Sequence, residues 1–106
     1  MKVSNDKRVD ALMRAVLTLK SEEEARAFFN DLCTPAELRS MGQRLAVAEA
    51  LLQNKTYEEI RSSHTVSSAT IARINGELQY GGGGYLTVLE RLKDTAGEKT
   101  PPHGNI

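Results

Sequence analysis

The chain has 106 residues, room for one domain with a modest core that self-association commonly enlarges. Its 40% hydrophobic and 26% charged residues are ordinary for a globular domain, while 5% aromatic and no Trp leave too few rings for a single-strand stacking platform. Fourteen basic and fourteen acidic side chains cancel, which excludes binding to phosphates driven by overall charge.

The pattern is helical nearly throughout. Val9, Leu12, Met13, Val16 and Leu17 recur at three- and four-residue spacing and predict a first helix from about Asp6 to Leu19. Ser21-Glu-Glu-Glu24 reads as a capping box opening a second helix that carries Ala25, Phe28, Phe29 and Leu32. Thr34-Pro35-Ala36-Glu37 is a stronger start of the same kind, with proline at the first helical position. It opens the longest helix, to about Gln53, with Leu38, Met41, Leu45, Ala48 and Leu52 as its apolar stripe, widened by Leu51. Gly42 and Ala46 are small enough for another backbone to come close there, or else Gly42 merely weakens the helix.

Thr56-Tyr57-Glu58-Glu59 is a third capping box, and Ser67 caps a further helix to about Gln79. Tyr80-Gly-Gly-Gly-Gly-Tyr85 then reads as a flexible linker; no Lys-Ser/Thr follows, so it is not a phosphate-binding P-loop. Leu86, Val88, Leu89 and Leu92 predict a last short helix. The domain is expected over 1–93, and 94–106 reads as a disordered tail of Gly, Pro and polar residues.

Several function classes fall away. Cys33 is the single cysteine, so there is neither an intrachain disulfide nor a Cys-rich metal site, and it reads as a small apolar residue. No apolar run approaches the roughly 20 residues that span a bilayer, and charges interrupt the N-terminus as no signal peptide allows, so a cytoplasmic protein is expected. His64 and His103 have no partner at catalytic or metal-ligand spacing; the chain reads as neither an enzyme nor a cofactor protein.

What remains is the segment Lys55 to Leu78, two short helices joined by a tight turn. Ile60, Val66 and Ile71 sit where a helix-turn-helix locks its helices at a fixed angle. Ser67, Ser68, Ala69 and Thr70 open the second helix with small side chains that can approach phosphates and base edges, and Arg73 follows one turn on. Lys55, Thr56 and Arg61 are further candidates for contacting DNA. Lys55, Arg61 and Arg73 stand against Glu58 and Glu59, one positive charge in excess, so affinity has to come from two copies of the site or from hydrogen bonds. Two features depart from the generic motif: Thr65 stands in the turn where glycine is common, and Arg61 where alanine is usual. On pattern alone, an ordinary helical hairpin stays open.

The block from Leu32 to Leu78, under half the chain, resembles the Trp repressor family, and within it the YerC/YecD branch. The resemblance runs through Thr34-Pro35, Glu37, Gly42, Arg44, Glu49, Leu51-Leu52, Glu59, Ala69-Thr70-Ile71, Arg73 and Leu78. It implies an all-α, six-helix Trp repressor-like fold with a helix-turn-helix, built as an intertwined homodimer whose two heads face successive major grooves of double-stranded DNA. It also implies an effector site at Thr34, Arg44 and Arg73. The rest of that pocket does not carry over: Ile74 stands for a glycine beside the indole, Glu77 for a serine and Asp31 for a leucine. The resemblance therefore does not extend to tryptophan as corepressor. For Arg44 another small anion, an ion pair with Asp31 or Glu77, and plain solvation stay open, the ion pair being favoured.

The expected function is a homodimeric, sequence-specific transcriptional regulator, repressor-like, either constitutive or answering to an effector other than tryptophan that the sequence does not identify. A helical protein–protein interaction dimer that keeps the fold without DNA binding is the alternative.

Overall fold

Among the described residues the chain forms six helices and no strand, most of them started by local capping chemistry. The computed structural model describes residues 6–98. The chain divides within its third helix into two units, Met1–Gln43 and Arg44–Ile106.

In the first unit, Asp6 caps α1 (Lys7–Val16) by accepting the Arg8 N–H at 2.8 Å, and its other oxygen pairs with the Arg8 guanidinium at 2.9 Å. That pairing holds the Asp6 carboxyl below the usual carboxylate range. The helix stops before Leu19. Thr18 folds its hydroxyl onto the Ala15 carbonyl at 2.7 Å, while the Thr18 and Leu19 amides reach back only three residues, to the Ala15 and Val16 carbonyls.

α2 (Glu22–Leu32) starts at Ser21, whose Oγ accepts the Glu24 amide at 3.1 Å. The reciprocal half of the box is shifted by one residue: Glu24 accepts from the Lys20 amide at 2.9 Å. Arg26 pairs with Glu22 one turn back, and Phe28 and Phe29 meet edge-on with ring centres 5.3 Å apart. Neither α1 nor α2 contains a buried residue, and Met13 and Leu17 are 51% and 83% exposed.

α3 (Pro35–Leu52) begins with a complete box: Thr34 N–H donates to Glu37 Oε1 at 2.8 Å, and Glu37 N–H to Thr34 Oγ1 at 3.1 Å. Within the single chain and its described residues, a Cβ at Gly42 would meet nothing within 4 Å. α3 closes at Asn54, which takes a left-handed conformation (φ 64°). The Lys55 amide reaches back to the Ala50 carbonyl at 3.1 Å and the Asn54 amide to Leu51 at 3.0 Å, a Schellman closure with asparagine in the place glycine usually fills.

The core lies in the second unit. Val47, Ala48 and Ala50 of α3 meet Ile60 of α4 (Tyr57–His64), Ile71 and Ile74 of α5 (Ser68–Tyr80) and Leu89 of α6 (Gly84–Glu98). Leu45, Leu51, Val66, Leu78 and Tyr85 pack around them. Each fully buried Val or Ile contributes about 1.5–3 kcal/mol of transfer free energy. The buried face of α3 differs from the expected stripe: Met41 and Leu52 are exposed, and the less bulky Val47 and Ala50 take the contact.

The glycine run is more constrained than a linker. A side chain at Gly81 would put its Cβ 2.5 Å from the Glu77 carbonyl oxygen, Gly83 has φ +85°, and Gly84 is already the first residue of α6. α6 continues past Asp94 to Glu98, so the helix overruns the start expected for the tail; the rest of that tail, 99–106, lies outside the described residues.

Candidate nucleic-acid interface

α4, the turn and α5 pack against each other around Ile60, Val66 and Ile71. The head is anchored at its start by Thr56. Its Oγ1 accepts the Glu59 amide at 3.1 Å, and its own amide donates to Glu59 Oε1 at 2.8 Å. The Thr56 amide bond holds the Glu59 carboxyl below its ordinary value, with a lesser contribution from Lys55.

The turn is built on Thr65, which adopts φ 54°, ψ 54° and donates its amide to Arg61 at 3.1 Å. The position where glycine is common is therefore left-handed here too, held by a β-branched residue at a conformational cost. Ser67 then caps α5. Its Oγ accepts the Thr70 amide at 3.1 Å and donates to Thr70 Oγ1 at 3.0 Å. Thr70 Oγ1, acting as the acceptor, keeps its own proton for an outside partner.

Burial divides α5 by helical period. Ile71 and Ile74 point into the core, with Leu78 half-buried behind them, while Ser68, Ala69, Ala72, Arg73 and Glu77 are exposed. Ser68, Ala69 and Ala72 give that face a low profile near its N-terminal end, with Arg73 one turn along. Thr70 is half-buried at the edge of the face, and Ser67 is exposed at the cap.

The other expected contacts divide into two groups. Arg61 is exposed on α4 and forms an ion pair with Glu58. Lys55 leaves the Schellman turn and lines a polar cleft of about 250 Å³ with Gln53, Glu59, Ser63 and His64. That cleft, and the left-handed Asn54 beside it, went unread in the sequence, where the only signal is an asparagine directly after a helical stripe.

Thr34, Arg44 and Arg73, the expected effector residues, stand before α3, within α3 and on α5. The Thr34 hydroxyl serves the α3 cap, Arg44 is half-buried on α3, and Arg73 is exposed. Ile74, next to Arg73, is 1% exposed and belongs to the core. None of the helices among the described residues is long and apolar enough to cross a membrane.

Comparison with known proteins places this arrangement. The family model described as Trp repressor protein matches residues 7–93. The uncharacterized protein YerC of Bacillus subtilis is 42% identical over 94 residues, covering 89% of this chain and 90% of YerC. The crystal structure of a TrpR-like protein from Eubacterium eligens superposes with a TM-score of 0.80 at 43% identity, over 84% of this chain and 92% of that one. A Staphylococcus aureus structure provisionally assigned as a Trp repressor gives 0.79 at 40% identity, over 84% and 89%. With six helices among its described residues and a helix-turn-helix between Tyr57 and Tyr80, this all-α chain belongs to the Trp repressor family.

Proposed function

We propose that the protein is a sequence-specific DNA-binding transcriptional regulator that works as a homodimer. The observation that carries this reading is the outer face of α5: Ser68, Ala69, Ala72 and Arg73, backed by fully buried Ile71 and Ile74. Small side chains let the helix backbone approach base edges, and the buried pair fixes the angle of entry. Arg73 clamps a guanine or a phosphate, Ser68 and Thr70 donate to phosphates or bases, and Ala69 touches a thymine methyl. Lys55, Thr56, Arg61 and Ser67 hold the flanking backbone.

Self-association is supported by α1. Val9 and Met13 on α1 and Leu17 at its C-cap are exposed apolar side chains, and the helix contains no buried residue. Two heads double the phosphate contacts of a chain whose charges cancel. Ile74 fills the core beside Arg73 and the Thr34 hydroxyl accepts the Glu37 amide at its cap, which supports heads set by packing and speaks against tryptophan as the effector.

The experiment is selection from random duplex DNA at low salt. Enrichment of a pseudo-palindromic motif supports the reading. The absence of any enriched motif favours the interaction dimer without DNA binding, which the zero net charge and the Glu58–Arg61 pair also suit.

A further inference from the structure

α4 carries two carboxylates in its first turn, and they do different work. Glu59 accepts the Thr56 amide and completes the capping box. Glu58 takes no part in that box. It turns along the helix to the Arg61 guanidinium, in an ion pair whose side chains are 80% and 45% exposed. The head has few cations to spare: between residues 55 and 74, only Lys55 and Arg73 join Arg61. One of three is thus held by a carboxylate that the helix does not need for capping.

We infer that Glu58 is a specificity-determining residue, which holds Arg61 back from DNA until a phosphate in the correct register takes it. The inference rests on the DNA-binding reading above. An exposed pair of this kind is weak and exchanges readily, so it does not lock Arg61. The guanidinium is planar with five donors, and one edge stays available while Glu58 occupies another. A phosphate placed on the available edge by a fitted groove captures Arg61. A phosphate that arrives out of register meets the carboxylate and is repelled. Non-specific complexes depend almost wholly on phosphate contacts, so they lose more to Glu58 than the fitted complex does.

The test is Glu58→Gln, which keeps the side-chain shape and leaves the Thr56–Glu59 box untouched. Affinities for the selected duplex and for a scrambled duplex are measured between about 50 and 200 mM salt, with Glu90→Gln on α6 as a control for net charge. The scrambled duplex should bind roughly 3–10-fold tighter, with a salt slope steeper by about 0.9 per head, as one added phosphate contact requires. The selected duplex should gain less than about twofold, so discrimination falls. In an Arg61→Ala background the same substitution should leave discrimination where it stands. Equal gains on both duplexes, no gain on either, the same result from Glu90→Gln, or a fall that persists without Arg61 overturns the inference. A wild-type protein with no sequence preference fails the DNA-binding reading itself, whereas a preference that Glu58→Gln leaves intact fails this inference alone.

Discussion

Thr65→Gly tests whether the turn of the head is a built conformation held against local preference. Thr65 sits at φ 54°, ψ 54°. The left-handed region costs a residue with a Cβ about 1–2 kcal/mol relative to glycine, and β-branching places threonine toward the upper end. Glycine gains that back but adds unfolded-state freedom worth about 0.4–1 kcal/mol. The net expectation is a stabilisation of about 1 kcal/mol, or roughly 4–8 °C in Tm for a domain of this size. Asn54→Gly is the internal control, because Asn54 has nearly the same φ of 64° but asparagine tolerates it well. Its effect should be within about 0.5 kcal/mol of zero, since the backbone strain being relieved is smaller. The assay is thermal and urea unfolding of the variants at equal protomer concentration, which an associating chain demands. A Thr65→Gly protein no more stable than wild type, or one matched by Asn54→Gly, refutes the reasoning about the turn.

Three further outcomes are expected. Ile74→Ala should cost about 2–5 kcal/mol in urea unfolding, because a fully buried side chain at the junction of α3, α4 and α5 leaves a cavity; a change under 1 kcal/mol would show that the site collapses freely. Glu59 has a folded pKa below its unfolded value of about 4.5, so its contribution is fully present above that pH and is lost as the pH falls through the lower folded value. Urea midpoints of Glu59→Gln should therefore fall less steeply on acidification than those of wild type, with the residual slope owed partly to Asp6, which is shifted the same way. Arg73→Ala should weaken binding to the selected duplex by about 5–150-fold while leaving the unfolding midpoint near wild type, as measured by fluorescence anisotropy alongside urea melts; unchanged affinity removes Arg73 from the interface.

Helix starts were the most legible part of this chain, because capping is chemistry between residues three apart. Thr34 with Glu37, Thr56 with Glu59, and Ser67 with its Thr70 amide all form as their spacing predicts. Ser21 and Glu24 show the limit: the spacing is right, yet the carboxylate prefers the Lys20 amide. Burial was harder to read. The α3 stripe places Ala48 correctly, but packing against the core takes Val47 and Ala50 in place of the larger Met41 and Leu52, because small side chains fit the close contact. Helix ends depend on backbone geometry that composition hides, as with Thr18 closing α1 and Asn54 closing α3. The glycines from Gly81 to Gly84 suggest slack by composition; steric demand at Gly81 and the left-handed Gly83 are visible only in three dimensions. In the head, the inward Ile71 and the outward Arg73 follow from helical period, whereas Ile74, read from the sequence only as filling a ligand's space, is a core residue.

The central claim is a two-fold reader, and half-site spacing tests it most directly. Once a motif is selected, duplexes are built with about 5 and about 10 base pairs inserted between its halves, half a helical turn and a full turn. Affinity should collapse with the half-turn insertion, which rotates one half-site to the far side of the duplex, and recover in part with the full turn. Affinity indifferent to the insertion, or a selected motif without two halves, contradicts the account.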